Sequence, residues 1–220
     1  MTAAMIFAAG FGTRMGAMTR ETPKPMLSLA GRPMIDHAID LLRAGGVTRI
    51  VANTHYLPQR ITPHLASMGV TVLHENPILE TGGGLRAALP ALGAQPVITL
   101  NPDAAWKGPN PVRLLQDAWR DDMQALLMLI DIDRALGTAP PGDFSLEQGE
   151  ICRNGPFRYA GLQMLRTDRL HKIDGDAFSL NAYWDLLARD GALHGIEYPG
   201  IWCDIGHPEG LEQAERLLAS

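Results

Sequence analysis

Apolar residues along this chain fall in short unbroken runs, separated by stretches in which they recur every three or four positions. Ala3 to Ala9 is the first run; Arg49–Asn53, Val70–His74, Val97–Leu100 and Ala125–Ile130 repeat its form. Runs this short fit strands buried on both faces. Between them, Met34, Ile35, Ala38, Ile39 and Leu42 share one face of a helix that Gly45-Gly46 stops. Ile61 and Leu65 mark a weaker helix over Leu57 to Ala66, and Leu85, Ala88, Leu89 and Leu92 a stronger one. Val112, Leu115, Ala118 and Trp119 mark the next. The alternation predicts an α/β fold with a doubly wound, mostly parallel, Rossmann-like sheet and helices on both faces, because parallel neighbours need a crossover of helical length.

The later part is patterned less regularly. Arg134–Pro141, with Gly137, Pro140 and Pro141, reads as a mobile loop. Asp143–Leu146 and Glu150–Cys152 flank Gln148-Gly149 as a hairpin, and Phe157–Leu165 is a strand whose Ala160-Gly161 break permits a close backbone approach. A short helix over Asn181–Leu187 and a terminal one bearing Leu211, Ala214, Leu217 and Leu218 complete the chain.

Composition narrows the function. Against 19 basic residues stand 24 acidic ones, for a net charge of −5, which argues against a broad nucleic-acid surface and leaves phosphate work to local cations. With 220 residues the chain suits one domain over 1–220. Cys152 and Cys203 read as free thiols of a reducing compartment. Gly10, Gly12 and Arg14 interrupt the first apolar run before a signal-peptide core forms, and no apolar stretch reaches membrane-spanning length. The expectation is a cytoplasmic protein without a membrane partner.

Candidate chemistry gathers where runs end. The first run empties into Gly10-Phe-Gly-Thr-Arg-Met-Gly16, which is neither G-x-G-x-x-G nor a P-loop, and two glycines alone mark only a turn. Thr22-Pro23-Lys24-Pro25 adds weight, since two prolines should hold an extended backbone around a lysine suited to a point contact with phosphate. Glu80-Thr-Gly-Gly-Gly84 opens a helix, where three glycines would expose backbone donors. Asp103, in Asn101-Pro102-Asp103, stands at the carboxyl end of a strand, where open α/β sheets bind ligands; a plain turn aspartate is the alternative.

Phe7-Ala-Ala-Gly-Phe-Gly-Thr-Arg-Met15 followed by Thr22-Pro-Lys-Pro-Met26 resembles the signature of the sugar-1-phosphate nucleotidyltransferases. Trp202-Cys-Asp-Ile-Gly-His-Pro-Glu-Gly210 is similar to that family's second metal motif. The resemblance implies a nucleoside triphosphate and a sugar-1-phosphate as partners, and Mg²⁺ held by Asp103 and Asp204 as cofactor. It implies that Arg14 and Lys24 act on the triphosphate in catalysis. Nucleotide binding passes to Ala8, Ala9, Gly10, Gly12 and Thr13, with Asn53, Glu80 and Gly83 near the nucleoside. Asn101, Asp143 and Gly161 are then sugar-phosphate contacts. Residues 1–105 become a nucleotide-binding half and 106–220 a sugar-phosphate-binding half containing a small sugar-binding lobe. Pro102 stands where the family has glycine, which removes a backbone donor to the sugar. Leu79–Leu85, Gly142-Asp-Phe144 and the Trp202 segment resemble, within the family, the short uridylyltransferases acting on N-acetylmuramate 1-phosphate. A mannose- or glucose-1-phosphate enzyme stays open, as does a non-catalytic nucleotide-sugar-binding regulator; the oligomeric state stays undefined. No hexapeptide repeat follows, so no appended acyltransferase domain is expected.

Overall fold

The computed structural model describes residues 2–93 and 95–219. β1 (Ala3–Phe7) runs into the glycine loop and a 3₁₀ segment over Thr13–Thr19, then a 3₁₀ turn over Lys24–Met26 and a small hairpin, β2 (Ser28–Leu29) and β3 (Arg32–Pro33). α1 (Met34–Ala44), β4 (Arg49–Thr54), α2 (Pro58–Ser67), β5 (Thr71–His74), α3 (Glu80–Leu92) and β6 (Val97–Leu100) follow in the predicted alternation. Next come β7 (Ala104–Lys107), α4 (Pro111–Ala118), β8 (Ala125–Asp131), β9 (Ala135–Leu136), β10 (Phe144–Glu147), β11 (Glu150–Arg153) and β12 (Phe157–Leu165). α5 (Leu180–Arg189), β13 (Leu193–Glu197), β14 (Ile201–Asp204) and α6 (Pro208–Ala219) end the described chain. Asn110 and Ser179 cap α4 and α5, each accepting from backbone N–H groups of the first turn.

Nine strands form the central sheet in the order β10-β11-β13-β8-β12-β6-β1-β4-β5. β5, β4, β1 and β6 are all parallel, and only β12 and β11 run against the common direction. The sheet is therefore mixed but mostly parallel. Alternate residues of one strand feed opposite faces. Ala4 and Ile6 pack with α1, α2 and α4, while Ala3 and Met5 pack with α3 and α5. β8 divides in the same way, Leu126, Met128 and Ile130 against Ala125, Leu127 and Leu129. Two cores thus sandwich the sheet, the doubly wound arrangement that the pattern predicts.

A second sheet, β7-β14-β9, stands apart with α6 on it and has its own core of Met15, Leu29, Cys203, Ile205 and Ala214. Here the segment Arg134–Pro141 departs from the expected mobile loop: Ala135 and Leu136 pair in parallel with Trp202 and Cys203, and Arg158 Nη2 takes the Ala139 and Pro141 carbonyls at 2.8 and 2.7 Å. β13 is unanticipated because Gly195 breaks its apolar run. A Cβ there would meet Ile151 Cγ2 at 2.6 Å, so β11 requires the glycine. Among the described residues, no helix is long and apolar enough to cross a membrane.

Candidate active site

The glycine loop owes its sequence to a close approach. Gly12 is left-handed, φ 65°, and a Cβ on it would stand 2.8 Å from Lys24 Cβ, so glycine lets the Lys24 turn lie against the loop. Thr19 Oγ1 donates to the Gly12 carbonyl at 3.1 Å and fixes the loop's far end. Pro23 is extended, φ −62° and ψ 142°, but the extended backbone expected around Lys24 is not found. Lys24 opens a 3₁₀ turn closed by Met26 N–H to Pro23 O at 2.8 Å and Leu27 N–H to Lys24 O at 3.0 Å. The turn aims the ammonium inward. Lys24 Nζ lies 2.6 Å from Asp103 Oδ2, with the two side chains 10% and 27% exposed.

Asp103 and Asp204 are brought together by a strand pair. β14 is antiparallel to β7, with Asp204 opposite Ala104, and Ile205 N–H donates to the Asp103 carbonyl at 2.9 Å. Burial first, and then the negative charge of Asp103, raise the Asp204 carboxyl above its usual range, against the opposing effects of Lys24, Arg14 and His207. A Cβ on Gly206 would stand 2.6 Å from Asp204 Oδ2 and 3.0 Å from Arg14 Nη1, so this glycine leaves room for carboxylate and guanidinium together. Two oxygen-donor side chains with open surroundings suit a hard divalent cation that takes its remaining ligands from phosphates. Cys203 is no nucleophile, since burial and the Asp204 charge push its thiol up to about 11.

Three connected cavities meet around Phe7. One of about 210 Å³ collects Ala8, Gly10, Gly12, Thr13, Arg14 and Lys24 with Asp103. A second, about 240 Å³, takes Ala9, Asn53, Glu80 and Asn101 on its wall. The third, about 290 Å³, runs from Asn101 to Asp143. Asp204 faces an adjoining cavity that Arg14 also lines.

Several residues sit differently from the expectation. The amide of Asn53 is taken by protein: its Oδ1 accepts Ala8 N–H at 2.8 Å and its Nδ2 donates to Glu75 Oε1 at 2.7 Å. Glu75 Oε2 accepts Leu79 N–H at 2.9 Å, making this buried glutamate the keystone of the second cavity's wall. Sequence reasoning missed it, although a carboxylate directly after an apolar run was its signal. The glycine triplet does not expose donors. Gly82 and Gly83 N–H both bond the Phe178 carbonyl, at 2.8 and 3.1 Å. A Cβ at Gly83 would meet the Asp176 carbonyl at 2.1 Å, and one at Gly84 would strike Glu75 Oε1 at 2.5 Å. Gly83 is buried and is not among the residues lining these cavities. Gly161, φ 78°, sits behind Asn101, whose N–H it accepts at 2.8 Å. Asp143 accepts Arg158 Nη1 and Tyr159 N–H, both at 3.0 Å, with an edge left toward the cavity.

A family model described as MobA-like NTP transferase domain matches residues 4–145. An N-acetylmuramate alpha-1-phosphate uridylyltransferase of Caulobacter vibrioides is 33% identical, over 98% of this chain and 96% of that one. The Neisseria meningitidis protein of the same name is 30% identical over 99% and 98%. A mannose-1-phosphate guanyltransferase of Neurospora crassa is 26% identical over 94% of this chain and 61% of its own. A solved structure titled as a putative glucose-1-phosphate thymidylyltransferase from Bacillus anthracis shares the fold, with a TM-score of 0.83 at 18% identity, covering 99% of this chain and 95% of that one.

Proposed function

The chain belongs to the MobA-like NTP transferase family and is a sugar-1-phosphate nucleotidyltransferase, and we propose that it joins UTP to N-acetylmuramate 1-phosphate with release of pyrophosphate. The observation that carries the site assignment is the meeting of Lys24, Asp103, Asp204 and Arg14 below the glycine loop. The phosphate oxygen of the sugar phosphate attacks the α-phosphorus, and the bond from that phosphorus to the bridging oxygen breaks. Since the nucleophile is already an anion, no general base is required.

Backbone N–H groups of Ala9 to Thr13 face the triphosphate, while Lys24 and Arg14 offset the charge that grows on the pyrophosphate. Asp103 and Asp204 would hold the metal, assigned as Mg²⁺; when bound, it neutralises the phosphates that must approach each other. Residues 1–105 carry the nucleotide and 106–220 the sugar phosphate, with Asn101 at their border and Asp143 in the sugar cavity. The reaction is assigned to the cytoplasm, where UTP is available.

The near-full-length likeness to the Caulobacter and Neisseria proteins supports this choice of substrates. Likeness to mannose-1-phosphate guanyltransferases favours GTP and mannose 1-phosphate as the second reading. Pyrophosphate release from UTP, GTP, CTP and dTTP, each with N-acetylmuramate, N-acetylglucosamine, mannose and glucose 1-phosphates, separates them. Fastest turnover is expected with UTP and N-acetylmuramate 1-phosphate. A best pair of GTP and mannose 1-phosphate would overturn the reading.

A further inference from the structure

The third cavity holds a cation that the phosphate chemistry does not use. Arg153, the last residue of β11, lines it together with Tyr159, Gln163 and Trp184. Its guanidinium lies over the Phe144 and Trp184 rings, 5.0 and 5.5 Å from their centroids. Nε and Nη2 donate to Asp185 Oδ1 at 3.1 and 2.8 Å, and Nη2 reaches the Asn181 carbonyl at 3.3 Å. Nη1 makes no hydrogen bond among the described residues. Asp185 is 58% exposed and does not line the cavity, so the ion pair closes on the solvent side while the stacked cation stays in the wall.

The other charged group of that wall is already matched, and the one buried amide donor without a partner, Gln163 Nε2, is neutral. Asp143 is neutralised by Arg158 at 3.0 Å, and the Trp184 indole N–H donates to Gln163 Oε1 at 2.8 Å. Burial pushes the Tyr159 phenol up, keeping it neutral. Amides and hydroxyls of this kind suffice for an uncharged hexose. A planar guanidinium held flat on two rings, with donors to spare, suits a carboxylate instead. The phosphate is not that anion, because Lys24 and Arg14 lie in the first cavity, which Arg153 does not line.

We propose that Arg153 recognises a carboxylate carried by the sugar itself, the lactyl acid of N-acetylmuramate 1-phosphate, and so sets the preference for that sugar over N-acetylglucosamine 1-phosphate. The proposal rests on the uridylyltransferase reading above. Its test is kcat and KM for both sugar phosphates with UTP in the unaltered protein, Arg153→Gln and Asp185→Asn. Arg153→Gln is expected to lower kcat/KM for the acidic sugar about 10- to 100-fold, mainly through KM, and to change that for the neutral sugar by less than about twofold. Asp185→Asn breaks the same ion pair but keeps the cation, and is expected to retain the preference. An unchanged KM for UTP reports an intact fold in both variants. Equal losses for both sugars in both variants would make the ion pair a packing element and overturn the proposal, as would a preference surviving Arg153→Gln. If the unaltered protein does not prefer the acidic sugar, the substrate reading fails first and the proposal with it, a result read before any variant is made.

Discussion

Lys24 Nζ and Asp103 Oδ2 lie 2.6 Å apart across 79 residues of sequence, so the cation proposed to meet phosphate is held in place by a carboxylate of the same cavity. Lys24→Met keeps much of the volume and removes the charge. It is expected to lower kcat with saturating UTP by about 10²–10³-fold, the scale seen when a donor to developing charge is lost. Steady-state pyrophosphate release measures it; a loss confined to KM would place Lys24 in ground-state binding instead.

Asp204 makes stability depend on pH in a definite direction. Its folded-state pKa is raised, so the stability it contributes is complete below the ordinary carboxylate value of 3.8 and is lost as pH rises through the raised value. Asp204→Asn removes that loss. In metal-free buffer its Tm is expected to exceed the parent's at pH 7, with the gain vanishing below pH 3.8, while turnover collapses. A Tm that falls at pH 7 would mean that Arg14, Lys24 and His207 outweigh burial and Asp103.

Gly206→Ala separates geometry from folding. The added methyl meets only the ends of two side chains, Asp204 at 2.6 Å and Arg14 at 3.0 Å, which can move aside. Tm is expected to change by less than about 2–4 °C, equivalent to about 1 kcal/mol in a chain of this size. Activity is expected to fall at least about tenfold, since small displacements at a reacting centre are costly.

Gly83→Ala tests the opposite case. Its methyl would meet the Asp176 backbone carbonyl at 2.1 Å, where no rotamer change relieves it. A cost of about 1–3 kcal/mol is expected, read as a lower denaturation midpoint. The KM for UTP of the remaining folded protein should stay near the parent value. A raised KM with unchanged stability would return Gly83 to the nucleotide.

Much of this was legible because it is local. Arg14, Lys24, Asp103 and Asp204 stand in short motifs that resemble a family signature, although the prolines beside Lys24 frame a 3₁₀ turn and not the extended backbone they suggest, and the two-faced sheet follows from the apolar runs. Roles created by distant partners were not legible. Gly82 to Gly84 read as exposed donors because the carbonyl that takes the Gly82 and Gly83 N–H groups comes from Phe178, nearly a hundred positions on. Glu75 matters through Asn53, which the parallel register of β4 and β5 sets beside its strand, and Arg153 through Trp184 on α5. Ala135 and Leu136 became a strand only because β14 arrives to pair with them.

That late arrival orders the protein's birth. A nascent chain that has passed residue 107 holds the glycine loop, Lys24, Asp103 and the β7 edge, yet only one of the two carboxylates proposed to hold a metal. The second comes with β14, the last strand among the described residues, and docking it on β7 sets Asp204 next to Asp103. On the roles proposed above, a chain that stops short of β14 keeps the cations offered to the triphosphate and lacks the second carboxylate, so turnover waits for Ile201–Asp204.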